Sequence, residues 1–320
     1  MNKDDKLKKV RIALDLLKDS LSKCAICPRR CKVNRFAGKL GYCRAPYNPV
    51  IYSYMAHHGE EPALSGSKGS GTIFFSRCNM KCAYCQNYIF SQLDGGDEIS
   101  IEKLASIMLE LQQAGCHNIN LVNPTHYVPQ ILMALEIAVN NGLSIPIVYN
   151  TSGYDLTDTI RLLDGIIDIY LPDMRYSDNR MAKLYSDAPD YVERDRTAVK
   201  EMYRQAGNVI LDDDDIAIKG LIIRLLVLPH NISGTTESLK FIKENISKDA
   251  YLSIMSQYYP TYKACDFKEL SCGILEEEYK IKVDEAHKLG LNNGWIQEMP
   301  KDSDTKFLGT NIAPKSEGKR

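Results

Sequence analysis

Cys78, Cys82 and Cys85 stand at C-x3-C-x2-C spacing in the stretch Cys78-Asn-Met-Lys-Cys82-Ala-Tyr-Cys85-Gln-Asn. Thiolates are soft ligands that suit iron–sulfur centres and zinc. A cubane of four irons normally takes four cysteines. Three in one loop leave one iron without a protein thiolate, and an open coordination position separates a reactive metal site from a closed structural one. Taken alone, the spacing is also compatible with zinc whose fourth ligand lies elsewhere. A second set, Cys24-x2-Cys27-x3-Cys31-x11-Cys43, has four thiolates of its own. It suits either structural zinc or an auxiliary iron–sulfur cluster, and the spacing leaves both open. This lobe is expected to need its metal to fold. The remaining Cys116, Cys265 and Cys272 fit no ligand pattern and are expected as free thiols.

The elements that must position these loops follow from periodicity. Val10, Leu14, Leu17 and Leu21 repeat at helical spacing, which predicts an amphipathic helix within residues 1–23 that docks on its own domain or on a partner. Residues 24–71 are rich in Gly, Pro, Cys and Ser and predict a loop-dominated metal lobe, then an extended segment around Val50–Met55. Six apolar runs follow: Thr72–Ser76, Asn118–Asn123, Ile145–Thr151, Asp168–Asp173, Leu221–Pro229 and Tyr251–Tyr258. They lack strict alternation, as strands covered on both faces do. Helical patterns lie between them at Ser100–Ala114, Val128–Asn141, Leu156–Leu163, Asn179–Ala206 with a break near Pro189, Ser238–Ile246 and Glu276–Leu289. This alternation predicts an α/β domain over 72–300 with parallel pairing, either an open doubly wound sheet or a partial barrel. Functional groups then gather at the carboxyl ends of the strands. A polar tail is expected over 301–320.

The strand before the cysteine loop, Tyr84 just ahead of the last cysteine, and the six βα repeats together resemble the radical S-adenosylmethionine (radical SAM) superfamily. The likeness is stronger to a branch related to pyruvate formate-lyase activating enzymes. It is carried by Cys27-Pro-Arg-Arg-Cys31, Gly59-Glu-Glu-Pro62, Gly71-Thr-Ile-Phe-Phe-Ser76, Asn123-Pro-Thr-His-Tyr127, Tyr149-Asn-Thr-Ser-Gly-Tyr154, Tyr170-Leu-Pro-Asp173, Met255-Ser-Gln-Tyr258 and Gly294-Trp-Ile-Gln-Glu298. The resemblance implies a partial (β/α)6 barrel with an N-terminal cysteine-rich lobe. It implies a [4Fe–4S] cluster on Cys78, Cys82 and Cys85 whose open iron binds the amino and carboxylate groups of S-adenosylmethionine. One-electron cleavage then yields methionine and a 5′-deoxyadenosyl radical that abstracts hydrogen from a substrate.

Candidate cofactor contacts sit at the expected strand ends. Where the superfamily usually carries Gly-Gly-Glu, this chain has Asn123-Pro-Thr-His126. Asn123, Thr125 and His126 each offer a lone pair to an ammonium, and His126 equally suits a hydrogen-bonded loop position. Asn150 and Ser152 are placed to reach the ribose or carboxylate. Asp173 either contacts the cofactor or pairs with Arg175. Arg224 lies inside an apolar strand, so its charge must be paired or face a polar lumen, where it suits a carboxylate. Tyr84 offers a flat face for the adenine. Glu60 and Glu61 read as a solvated turn, Gly66–Gly71 as a flexible turn that is not a P-loop, and Asp212–Asp215 as a solvated turn.

The formal net charge of −1 gives no basic footprint for nucleic acid, which is not an expected partner. No run approaches a membrane span, and the start is charged without an apolar core, so a cytoplasmic location is expected. Radical chemistry needs a one-electron donor such as flavodoxin or ferredoxin. The expected activity is radical modification of a protein, as in glycyl-radical activation. The alternatives are radical modification of a small molecule, peptide or RNA, and a non-catalytic electron-transfer or scaffold protein.

Overall fold

The computed structural model describes residues 2–299, so the tail expected over 301–320 lies outside the described residues. Ten strands are present among them: β1 (Val50–His57), β2 (Ser70–Phe75), β3 (Asp97–Glu98), β4 (Ile119–Val122), β5 (Ile147–Thr151), β6 (Ile169–Pro172), β7 (Ile210–Leu211), β8 (Ala217–Leu226), β9 (Tyr251–Met255) and β10 (Gly294–Ile296). The helices are α1 (Lys3–Leu17), α2 (Pro62–Ser65), α3 (Tyr88–Ser91), α4 (Ile101–Gln113), α5 (Val128–Asn140), α6 (Thr157–Arg161), α7 (Asn179–Ser186), α8 (Tyr191–Ala206), α9 (Thr235–Asn245) and α10 (Glu276–Lys288).

The sheet runs in the order β10-β9-β8-β6-β5-β4-β2-β1-β3. From β2 to β10 every pair on this path is parallel, and no pairing closes β10 onto β2 among the described residues, so the barrel is open. All six expected strands are there, each within a few residues of its predicted span. The long helical pattern at 179–206 divides into α7 and α8 around Pro189, because a proline there removes an amide donor and clashes with the preceding turn. The segment expected to be merely extended is a full strand, β1, joined antiparallel to β2 with Ile51 opposite Phe75 and His57 opposite Ser70. It therefore belongs to the same sheet as the barrel. Gly71 is required inside β2: a side chain there would meet the Asn118 carbonyl oxygen at 2.6 Å. Asp212–Asp215 is an exposed turn leading from β7 into β8, where Asp212 Oδ1 accepts from the Asp214 and Ile216 amides.

Helix α1 docks on its own domain. Asn2 caps it by accepting from the Asp5 amide at 2.8 Å. Its stripe of Leu7, Val10, Ala13 and Leu17 is buried, and Lys6 Nζ reaches Asp168 Oδ2 at 2.8 Å. The four-cysteine lobe is pinned to the barrel by buried polar contacts. Arg35, 2% exposed, donates to the Pro46 and His126 carbonyls, and the Thr159 hydroxyl donates to the Ile26 carbonyl. Helix α5 carries apolar residues on nearly every side and is correspondingly buried, as a layer between the sheet and α1 must be. No described helix is long and apolar enough to cross a membrane.

Candidate functional site

The loop after β2 turns sharply at Arg77, a residue with positive φ whose amide donates to the Phe90 carbonyl. Its backbone is then held from three sides. The Lys81 and Ala83 amides donate to the Ser186 and Tyr185 carbonyls at 3.0 and 2.7 Å. The Gln92 side chain donates to the Cys82 carbonyl at 3.0 Å, and the Lys263 amide to the Ala83 carbonyl at 2.9 Å. So clamped, Cys78, Cys82 and Cys85 come near enough to feel one another. Burial pushes the Cys78 thiol up to about 12, Cys82 and Cys85 push the same way, and Arg175 opposes them. Cys85 is raised by burial and by Cys82, with Ser91 at 3.2 Å and Arg175 opposing. Buried thiols that disfavour each other's ionisation can all be thiolates only around a compensating cation. The donor set therefore fits an iron–sulfur cluster. No three His, Cys, Asp or Glu side chains among the described residues converge on one ion-sized point. A cubane places each thiolate on a different iron and does not require that convergence.

Beneath the loop lies a cavity lined by Tyr84, Cys85, Asn150, Asp173, Arg175 and Arg224, together with Glu60 and Gln257. Its charges form one network. Arg224 donates from Nε to Asp173 Oδ1 at 2.7 Å and from Nη2 to Asn150 Oδ1 at 2.5 Å, with Glu60 Oε2 at 3.5 Å from Nη1. The other Asp173 oxygen binds Arg175. Burial works to lower the Arg224 pKa, and Asp173, Glu61 and Glu60 more than offset it, so both arginines stay charged. The Arg175 Nε is buried without a partner.

Glu60 and Glu61 correct the expectation of a solvated turn. Glu61 is 3% exposed and the Glu60 side chain 9%. Burial raises both, Glu61 to about 7, while Arg224 opposes. The connection from β1 folds back under the barrel, and the two acids face Arg224, Asn120 and Ser253. The signal that was available is Arg224 itself, a charge in an apolar strand that requires a buried counter-charge.

The remaining candidates divide. Asp173, Asn150 and Arg224 meet at the cavity, where Asp173 also pairs with Arg175. Asn123, at positive φ, sits beside the cysteine loop: its Oδ1 is 3.6 Å from Cys78 Sγ and its Nδ2 donates to the Arg77 carbonyl at 2.5 Å. Tyr84 reaches the cavity but is 3% exposed, wedged edge-on between Tyr176 and Tyr258 with its hydroxyl on Tyr176 at 2.8 Å. Thr125 does not reach the cavity: its hydroxyl donates to Asp155 at 2.8 Å, inside a buried knot with Thr151 and Tyr149. His126 does not either. Its Nε2 lies 2.9 Å from the Ser76 carbonyl, and burial, aided by Arg35, Lys81 and Arg77, pulls its pKa to about 3 against that carbonyl's pull. It is the neutral, hydrogen-bonded loop histidine. Ser152 stands outside the cavity lining with a buried hydroxyl that has no partner.

The lobe thiols lie within electrostatic reach of one another, although no three of them meet at one ion-sized point. Cys27 is raised by burial and by Cys43, Cys24 and Cys31, and Cys43 by burial, Cys24 and Cys31.

Comparison with known proteins gives the relationship. The family described as the radical SAM superfamily matches residues 72–207, from the strand before the cysteine loop to the end of α8. The chain belongs to the radical SAM superfamily. Two curated relatives come from Methanocaldococcus jannaschii. The uncharacterized protein MJ0674 is 30% identical over 293 residues, covering 89% of this chain and 79% of that one. The uncharacterized protein MJ0808 is 22% identical over 307 residues, covering 89% and 83%. Among solved structures, the [FeFe]-hydrogenase maturase HydG is 12% identical with a TM-score of 0.46, over 72% of this chain and 52% of that one. Methylornithine synthase, PylB, is 14% identical with a TM-score of 0.47, over 76% and 74%. The chain thus spans about half the length of HydG. Radical SAM membership implies a [4Fe–4S] cluster and S-adenosylmethionine as cofactors and makes the chain an enzyme of radical chemistry.

Proposed function

We propose that Cys78, Cys82 and Cys85 hold the [4Fe–4S] cluster, and that S-adenosylmethionine occupies the cavity beneath them. The observation that carries this reading is one clamped loop of three closely placed cysteines, of which Cys85 lines a cavity walled by the paired charges of Asp173, Arg175 and Arg224. When bound, the cluster supplies the electron that cleaves S-adenosylmethionine to methionine and a 5′-deoxyadenosyl radical.

The chain's own residues bind, orient and insulate. Arg175 lies near all three thiols and offsets their negative charge. Asp173 holds Arg175 and Arg224 in fixed positions, so that the guanidinium donors are set before a carboxylate arrives. Asn150 fixes the far side of Arg224. Glu60 lines the cavity and Glu61 is buried beside it, and the two supply Arg224 with further counter-charge. The Tyr84 hydroxyl donates to that of Tyr176, which in turn bonds the Ser186 hydroxyl, and this chain leaves the wall beside Cys85 little freedom.

The substrate is another protein, from which a backbone hydrogen is abstracted to leave a glycyl radical. This finer step is supported by the resemblance of the quoted stretches to an uncharacterised branch related to pyruvate formate-lyase activating enzymes, and it rests on family analogy. The test is anaerobic reconstitution followed by dithionite reduction with S-adenosylmethionine. Wild type is expected to release 5′-deoxyadenosine and Cys82→Ala is not. Equal release from both sinks the site assignment. A glycyl-radical resonance on a partner protein is the expected second readout, and its absence from every partner tried sinks the substrate class alone.

A further inference from the structure

The cysteine loop has two sides. Tyr84 and Cys85 line the cavity, whereas Lys81 and Ala83 line a separate groove on the outer surface, with Cys82 between them. The groove runs between the four-cysteine lobe and the segment after β9. Its rim carries Arg44, Lys81 and Lys263, and its centre is apolar, with Leu184 53% exposed and Phe267 half-buried. Asp187 is the one acid in its lining, and that carboxylate already accepts from the Tyr42 hydroxyl at 2.6 Å. Arg44 shares Asp94 with Arg77. Lys81 and Lys263 lie over the rings of Tyr42 and Tyr262, and neither has a carboxylate partner among the described residues. In a chain of net charge −1, this is a local concentration of positive charge.

We propose that this groove is the docking surface for an acidic one-electron carrier protein. Resting on the assignment of the cluster to this loop, the inference adds where the electron enters. Electron transfer through protein falls steeply with distance, so a carrier must sit where the centre comes nearest the surface. The groove floor is the backbone on either side of Cys82, and both neighbouring peptides are locked by hydrogen bonds to Tyr185, Ser186 and Lys263. One electron leaves the reduced carrier and arrives at the group held by Cys78, Cys82 and Cys85, and no bond forms or breaks. An apolar centre flanked by two lysines without carboxylate partners among the described residues, Lys81 and Lys263, suits a small, transient, salt-sensitive encounter. Because the cavity opens on the loop's other side, donor and substrate do not compete for one entrance.

The test uses the reconstituted holoprotein with two probes, a flavodoxin and a plant-type ferredoxin. Binding of at least one is expected, weakening as salt is raised. Lys81→Glu and Lys263→Glu should each weaken that binding roughly fivefold, the size of an exposed charge contact. Lys219→Glu, on β8 far from the loop, should leave it unchanged. Dithionite-driven release of 5′-deoxyadenosine should stay at the wild-type rate in Lys263→Glu and Lys219→Glu, which separates a lost docking site from a lost cluster. Three results overturn the proposal: neither carrier binds wild type, the two reversals bind as tightly as wild type, or the reversals abolish self-association of the chain while carrier binding persists. Failure of wild type to cleave S-adenosylmethionine with dithionite would instead overturn the cluster assignment.

Discussion

Arg29 of the four-cysteine lobe donates from Nε to the carbonyl oxygen of Asn79, the residue after Cys78, at 2.9 Å. Its guanidinium also binds the Asp187 carbonyl and lies 3.6 Å from the centre of the Tyr42 ring, next to Cys43. A single side chain thus ties the lobe to the reactive loop. Breaking that tie should loosen the loop without unfolding the sheet. Arg29→Met removes a charge-assisted hydrogen bond worth about 1.5–3 kcal/mol. The expected outcome is a lower iron content after anaerobic desalting with an unchanged far-ultraviolet dichroism spectrum. Full retention of iron would show that the loop holds its shape alone.

The lobe should depend on its metal more than the barrel does. Apart from its contacts to the barrel, it has little apolar interior, and burial together with the neighbouring cysteines raises the Cys27 and Cys43 thiols. Cys27→Ser is expected to open residues 24–43 to limited proteolysis while α4 and α5 remain protected. Metal counting on the same samples reads which metal leaves: loss of zinc marks a structural site, and loss of iron beyond the loop's share marks a second cluster. An unchanged cleavage pattern with unchanged metal content would contradict a metal-held lobe.

Asp173 neutralises two buried guanidiniums at once. Asp173→Asn leaves both with reduced compensation, which in a buried network costs about 3–5 kcal/mol. A lower Tm and a higher Kd for S-adenosylmethionine are expected together. A variant that melts like wild type would mean that Glu60 and Glu61 suffice as counter-charges.

Glu61 makes stability depend on pH. Burial raises its pKa to about 7 in the folded chain, from the ordinary carboxylate value near 4.5. The folded state therefore binds this proton more tightly than the unfolded state. Its contribution is fully present below about pH 4.5 and is lost as pH rises through 7, by about 3 kcal/mol at most. Glu61→Gln should flatten that part of the stability curve and raise stability at pH 8, measured by urea unfolding. A curve as steep as that of wild type between pH 4.5 and 7 would place the titration elsewhere.

Much of the molecule was legible from local pattern. The break at Pro189, the six buried strands and the charged Arg224 inside one of them each depend on neighbours a few residues away, and each appears where periodicity puts it. The seven clustered cysteines behave likewise, because a metal site built from short spacings carries most of its geometry in the backbone between its ligands. The polar strand ends were harder. Asn123-Pro-Thr-His126 offers three similar donors and acceptors in a row, yet the turn at Asn123 sends Thr125 to Asp155 and His126 to Ser76. Which of them meets solvent, cofactor or core depends on partners far along the chain.

By itself, the sequence determined the chemistry on offer and the order of the elements: three thiols in one loop, four in another, and alternating strands and helices whose parallel pairing brings strand ends together. Tertiary structure alone decided that Glu60 and Glu61 turn inward to meet Arg224, that His126 is neutral and buried, and that Lys81 and Lys263 share one groove. The reason is physical. Periodicity and ligand spacing are short-range properties of the chain, whereas the sign and cost of a buried charge are set by whatever distant side chain the folded sheet places against it.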